Sequence, residues 1–235
     1  TNVCLPKDQI LFFNLHAGEP TLWPDLDQFC EYVKSLNPHN IIRLLTNGTR
    51  STKWWTSRNQ LIDNIIVSVH HGQTKNEVIS KKFDEIYDSG IDVSLHLMVD
   101  TNAFEICMDT YKYLYNNCKG PQLIFKPLRK TITHSVLQDY TPDQISIMQD
   151  LPEKPHKGQR NRQQVDMQWK RIGEEPVRIR NIEKEILLPH LNDWKDWYCN
   201  MGVETIVVQH QGWIKPGSNC FKKLWYGNIK DEEYN

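Results

Sequence analysis

A carboxylate set between a glycine and a proline can grip a cation or fix a turn, and the chain carries that combination at Gly18-Glu19-Pro20. A second small polar turn, Thr46-Asn47-Gly48-Thr49, ends the next apolar run. Glycine in such a turn lets a ligand approach the backbone, whose amides and carbonyls can hold a polar group. A single Gly-Glu-Pro is also an ordinary turn between a strand and a helix, so the pair carries the signal. His16, His70, His71 and His96 fall on or just after expected strands. They serve there either as proton donors and substrate contacts or as hydrogen-bonded core and rim residues. Adjacent His70 and His71 point to opposite faces of a strand, and the sequence contains no HxH or HExxH pair for zinc.

The six cysteines (Cys4, Cys30, Cys107, Cys118, Cys199 and Cys220) form no CxxC or CxxxC pair, so spacing gives no compact metal motif. Their scatter argues against a disulfide scaffold. Cys30 and Cys107 lie in amphipathic helical patterns and read as buried, inert thiols. Cys199 and Cys220 bracket a pair of short strand patterns, a layout that can bring two thiolates to one end for a soft metal cluster. On spacing alone, two buried free thiols are the simpler account of them.

The elements that must position these groups alternate. Ile10 to Phe13 is an apolar run of the kind that forms a strand buried on both faces. Helical spacing follows over Asp25 to Leu36, closed by Asn37-Pro38. Ile41 to Leu45 and Ile65 to His71 read as the next strands, with a short helix about Trp54-Trp55 between them. A helix over Asn76 to Asp88, a strand over Val93 to Val99, a helix over Phe104 to Asn117 and a strand over Leu123 to Leu128 complete the pattern. Met98 reads as packing. Strand–helix alternation at this spacing predicts parallel βαβ units, in which the turns after the strands gather at one end of the sheet and bind ligands. It fits a partial (β/α) barrel with its first strand missing.

Beyond Arg129 the composition turns polar. Thr141-Pro142-Asp143 opens a helix over Gln144 to Leu151, and the basic cluster from Lys157 to Arg162 reads as a solvated loop. Short strands are expected over Val165 to Arg171, Val177 to Ile182, Thr205 to Val208 and about Trp213. The expected division is a barrel over 1–130, a connecting segment over 131–165 and a C-terminal region over 166–235.

With 235 residues and a net charge of −1, the chain can bury a substantial core and has no global basic field, so nucleic acid is not an expected partner. No apolar stretch reaches the length of a membrane span and no signal peptide is visible, so the expectation is a cytoplasmic protein with no membrane partner. The start at Thr1 and the end at Asn235 read as those of an internal fragment.

The "HAGEPTLWPDL" turn, the "LLTNGT" turn and the ending "WYCNMG…VVQHQGWIKPGSNC…YGNI" together resemble radical S-adenosylmethionine (SAM) enzymes with a SPASM or twitch auxiliary-cluster region. The resemblance covers most of the chain and is weakest over residues 130–180. It implies an α/β fold, a partial (β/α)6 barrel of parallel strands, with a small C-terminal β-hairpin region for an auxiliary iron–sulfur cluster. It also implies reductive cleavage of SAM by a 4Fe-4S cluster to a 5′-deoxyadenosyl radical, and an electron donor such as flavodoxin or ferredoxin. By position, Ala17, Gly18 and Glu19 would meet the methionyl amino group of SAM, and Asn47 would support that pocket. Ser68 would help hold the ribose or carboxylate, and Pro127 and Leu128 would lie near the adenine. Cys199 and Cys220 would be the first two auxiliary-cluster ligands.

Three departures stand out. The family's CxxxCxxC loop is absent, Ala17 replaces the first glycine, and His70 stands where many peptide-modifying relatives have Asp. The expected function is thus a radical SAM iron–sulfur enzyme modifying a peptide or protein, or else a small molecule, with its cluster loop upstream of Thr1. No catalytic residue is assigned. The rival is a degenerate barrel that binds a nucleotide or partner peptide without radical chemistry, and a zinc hydrolase ranks last.

Overall fold

The strands β2 (Ile41–Thr46) and β5 (Gln122–Pro127) alternate along their length, burying one set of side chains and leaving the next open or partly open, and the carboxyl halves of β3 (Asn64–His70) and β4 (Asp92–Val99) do the same. The computed structural model describes residues 10–16, 18–130, 137–152, 154, 168–169, 177–178, 207–209, 213–215 and 227–228. Five parallel strands form one sheet in sequence order: β1 (Phe12–Leu15), β2 (Ile41–Thr46), β3 (Asn64–His70), β4 (Asp92–Val99) and β5 (Gln122–Pro127). Among the described residues β1 and β5 are its two edges. The crossovers hold α1 (Leu26–Leu36), α2 (Thr52–Thr56), α3 (Asn76–Asp88) and α4 (Phe104–Asn117), and α5 (Pro142–Asp150) follows the sheet. Parallel strands laid down in order by crossovers of one hand put every connecting helix on the same face.

That face holds the core. Ile42 and Leu44, Ile65, Val67 and Val69, Val93 to Val99 at alternate positions, and Leu123 and Phe125 are all buried. Against them pack Leu26, Cys30 and Val33 of α1, Ile79, Phe83 and Ile86 of α3, and Cys107, Tyr111 and Leu114 of α4, each set at three- and four-residue spacing. A large side chain of this kind contributes roughly 1.5–3 kcal/mol on burial. Gly90, at φ +99°, stops α3 in the left-handed conformation that glycine adopts without strain. Thr141 and Gln144 form a reciprocal cap on α5, with Pro142 in its first turn.

The opposite face differs from the expectation of strands buried on both sides. Its residues include Arg43, Ser68, His96 and Lys126, all half-buried, and Phe12 and His70, which are exposed. Runs such as Ile41-Ile42-Arg43-Leu44-Leu45 look continuous because apolar residues occupy both faces, yet Leu45 is 37% exposed. The first strand also begins later than its apolar run: Leu11 N–H goes to the Asn40 side chain, and Ile10 is 60% exposed.

The chain divides into two compact units, Pro6–Gln164 and a second that contains Val165–Asn235. Within the second, β6 (Gln168–Trp169) pairs antiparallel with β7 (Val177–Arg178). There too β9 (Trp213–Lys215) lies between β8 (Val207–Val208) and β10 (Gly227–Asn228), antiparallel to both. No described helix is long and apolar enough to cross a membrane.

Candidate functional site

The turns after β1 and β2 lie at the carboxyl end of adjacent parallel strands, and one side chain joins them. Glu19 Oε1 accepts hydrogen bonds from Thr21 N–H (3.2 Å), Thr21 Oγ1 (2.8 Å) and Thr46 Oγ1 (2.8 Å). Its Oε2 accepts one, from Asn47 N–H at 2.8 Å. Burial by itself would raise the Glu19 pKa. The bonds from Asn47, Thr46 and Thr21 outweigh it and hold the carboxyl below its ordinary value of 4.5. Glu19 is therefore ionised at neutral pH, and a carboxylate has about four acceptor positions. Oε1 is fully used, whereas among the described residues Oε2 takes one donor and keeps room for a second.

The second turn is as tightly specified. Thr46 Oγ1 accepts from Gly48 N–H, and Asn47 Oδ1 accepts from both Thr49 N–H and Thr49 Oγ1. Gly48 has φ +69°, and a Cβ there would sit 2.8 Å from both Phe83 Cζ and Val67 Cγ1. Glycine is needed twice over, for its backbone conformation and for the close approach of α3. Lys82 donates to the Gly48 carbonyl at 2.5 Å, and burial lowers its pKa. Arg50 reaches back to the Thr21 carbonyl at 2.6 Å, while its buried Nε meets no partner among the described residues.

Of the residues expected at a site, Glu19 and Asn47 are thus brought into direct contact. Gly18 stands exposed at φ +59° with nothing within 4 Å of an added Cβ. Ala17, Cys199 and Cys220 lie outside the described residues. Ser68 is on the half-buried polar face of β3, registered opposite His96 of β4. Pro127 is buried with Phe125 on the helix side of β5. Leu128 follows at the carboxyl end, where its N–H meets Val99 O at 3.1 Å and Tyr140 Oη at 2.7 Å. Tyr140 Oη in turn donates to Val99 O at 2.6 Å, so one phenol ties the ends of β4 and β5 together. Burial pushes that phenol up to about 12.

The histidines separate. His16 and His70 are exposed. His71 Nδ1 lies 3.8 Å from Cys107 Sγ, but that thiol is fully buried, is in contact with Met98 O and has its pKa raised by burial. Cys30 and Cys118 are likewise buried, each pushed up to about 12 mainly by burial. These are inert packing thiols. His96 is unlike the others: burial, then Lys126 and Arg43, drive its pKa down to about 3, so the imidazole is neutral.

Thr21, Thr46, Arg50 and Tyr140 received no role from the sequence. The first two carried a usable signal, since a hydroxyl two residues after the acid and another just before Asn-Gly can both reach one carboxylate. Tyr140 carried none, because its contacts span 41 residues to Val99 and 12 to Leu128. Among the described residues no three His, Cys, Asp or Glu side chains converge to hold a metal ion. No protein-family model matches the chain, and no curated protein sequence matches it.

Proposed function

We infer that the larger unit is a partial (β/α) barrel of radical SAM type that binds SAM at the carboxyl end of its strands. One observation carries this reading: the Glu19 carboxylate is clamped ionised between two adjacent strand–helix turns with one acceptor position left on Oε2. A fixed anion of that kind suits an ammonium, the methionyl amino group of SAM, and the clamping removes the cost of ordering it on binding. Asn47 supports the clamp through its backbone N–H. Ser68 would meet the ribose or carboxylate, and Leu128 would border the adenine at the end of β5.

In this family SAM supplies a 5′-deoxyadenosyl radical when a 4Fe-4S cluster reduces it. The six cysteines of this chain do not furnish the CxxxCxxC loop for that cluster, so the function of these residues is to bind and orient. A binder without radical chemistry would use the same cradle of Glu19, Thr46 and Asn47, and it is the second reading.

Binding is tested by calorimetry on the full chain with SAM and with 5′-methylthioadenosine, which lacks the amino acid end. SAM binds the parent chain, and Glu19→Gln weakens it by about 10- to 100-fold, the loss of one charge-assisted hydrogen bond, with methylthioadenosine unaffected. Equal binding of SAM to the parent and Glu19→Gln chains overturns the assignment. Iron and sulfide analysis of the whole reading frame after anaerobic reconstitution, with 5′-deoxyadenosine formation on reduction, separates the enzyme from the binder.

A further inference from the structure

Two cations grip the turns that make the Glu19 clamp, each on a backbone carbonyl. In the first turn, Thr21 gives both its N–H and its hydroxyl to Glu19 Oε1, while its carbonyl accepts Arg50 Nη2 at 2.6 Å. The N–H across the same peptide, that of Leu22, goes to the main-chain carbonyl of Glu19 at 3.0 Å. In the second turn, Asn47 gives its N–H to Glu19 Oε2, and the Gly48 carbonyl accepts Lys82 Nζ at 2.5 Å. The N–H across that peptide, that of Thr49, goes to Asn47 Oδ1 at 3.0 Å. A peptide group is planar, so a bond at each end fixes its orientation. Each turn that donates to the carboxylate thus contains a peptide plane pinned on both sides, with a cation on one of them.

A cation on backbone carbonyls commonly closes the end of a helix, as Lys154 does for α4 through the carbonyls of Tyr115 and Cys118. Arg50 and Lys82 are placed differently. The carbonyls they hold belong to the two clamp turns, 29 residues from Arg50 and 34 from Lys82. Both side chains are half-buried, and holding a cation partly out of water is costly unless its donors are used. Arg50 also lies over the Trp54 ring, 5.5 Å from its centre. Lys82 is followed by Phe83, whose ring occupies the space that a Cβ at Gly48 would need. These contacts restrict how far either cation can swing from its carbonyl.

We propose that Arg50 and Lys82 are positioning residues of the Glu19 cradle: by holding the Thr21 and Gly48 carbonyls they keep the Thr21, Thr46 and Asn47 donors aimed at the carboxylate. Thr46 belongs to the set because its hydroxyl accepts the Gly48 N–H while it donates to Glu19. Neither cation needs to touch the ligand. Their part in binding SAM rests on the preceding reading, whereas their effect on Glu19 does not.

The test is carbon-detected nuclear magnetic resonance of the Glu19 carboxyl through a pH titration of the full chain, with the unfolding temperature of each variant measured alongside. Lys82→Met and Arg50→Met keep an apolar stem and remove the cation, and Lys82→Gln and Arg50→Gln serve where methionine prevents folding. Each loosens the donors to the ionised carboxylate, so the Glu19 midpoint rises from its lowered value toward 4.5. The rise persists in about 1 M salt, where screening over about 3 Å removes a direct effect of the lost charge. Lys82→Arg and Arg50→Lys return a cation and restore part of the low midpoint. Lys154→Met removes the comparable tie at the end of α4 and leaves the Glu19 midpoint where it was. SAM affinity falls about 2- to 10-fold in the Lys82 and Arg50 variants, the worth of one ordinary hydrogen bond. A midpoint unmoved in a folded Lys82 or Arg50 variant overturns the proposal for that residue. A rise abolished by salt, or matched in Lys154→Met, overturns it for both. A raised midpoint in a chain that does not bind SAM sinks the preceding reading alone, and SAM binding that depends on Glu19 beside an unmoved midpoint sinks this one alone.

Discussion

The two ends of the sheet are both tied by a carboxylate, and they are tied differently. At the amino end, Asp63 is fully buried and accepts Lys34 Nζ at 2.9 and 2.7 Å together with Ile42 N–H at 2.7 Å. Lys34 also donates to Asn40 O, and Asn40 uses its side chain in both directions, accepting from Leu11 N–H and donating to Val33 O. At the carboxyl end, Glu19 joins two turns in the same manner, yet it stays part-exposed and keeps an acceptor position on Oε2. Both networks fix adjacent strands. Among the described residues the second keeps an open acceptor position, and it lies at the end of the strands where parallel α/β folds hold their ligands.

Three measurements would break or sharpen that contrast. Asp63→Ala strands the Lys34 cation and the Ile42 N–H at a buried site, so it should cost about 3–5 kcal/mol in a denaturant titration. A cost near zero would remove the amino end from the comparison. Gly48→Ala should cost about 2–4 kcal/mol, combining a left-handed backbone with overpacking against Phe83 and Val67. Gly18→Ala, with open space around it, should show the backbone part alone, and equal costs at the two positions would contradict the packing argument. The smallest effect concerns acid. The folded pKa of Glu19 lies below its ordinary 4.5, so its stabilisation is present above that value and is lost as pH falls through the folded pKa. Unfolding followed between about pH 5 and pH 3 should show a slope contribution no steeper than about 1.4 kcal/mol per pH unit, absent from Glu19→Gln.

Much of this architecture was legible because the helices and strands obey short periods. Asn76–Asp88 and Phe104–Asn117 have the bounds their patterns predict, and β2 to β5 differ from theirs by a residue at most ends. The Glu19 and Asn47 turns were legible as a pair because each follows a strand and contains a glycine. The polar face was not. Arg43, Ser68 and His96 sit among isoleucines, valines and leucines, and an apolar run does not reveal that one of its two faces carries polar side chains. Nor does periodicity reveal the clamp itself, whose bonds from Thr46 and Asn47 to Glu19 cross 27 and 28 residues.

The order of the sheet also bears on how the chain acquires its shape. Each strand lies beside the one made just before it, with paired positions such as Arg43 and Asn64 or Ser94 and Gln122 separated by 21 and 28 residues. No strand must wait for a distant partner, and the loops to be closed are short for a parallel sheet. At a synthesis rate of about 5–20 residues per second, each new strand leaves the ribosome within seconds of its neighbour. The five strands can therefore be added one at a time, each new strand assembling on the edge formed by the strand before it.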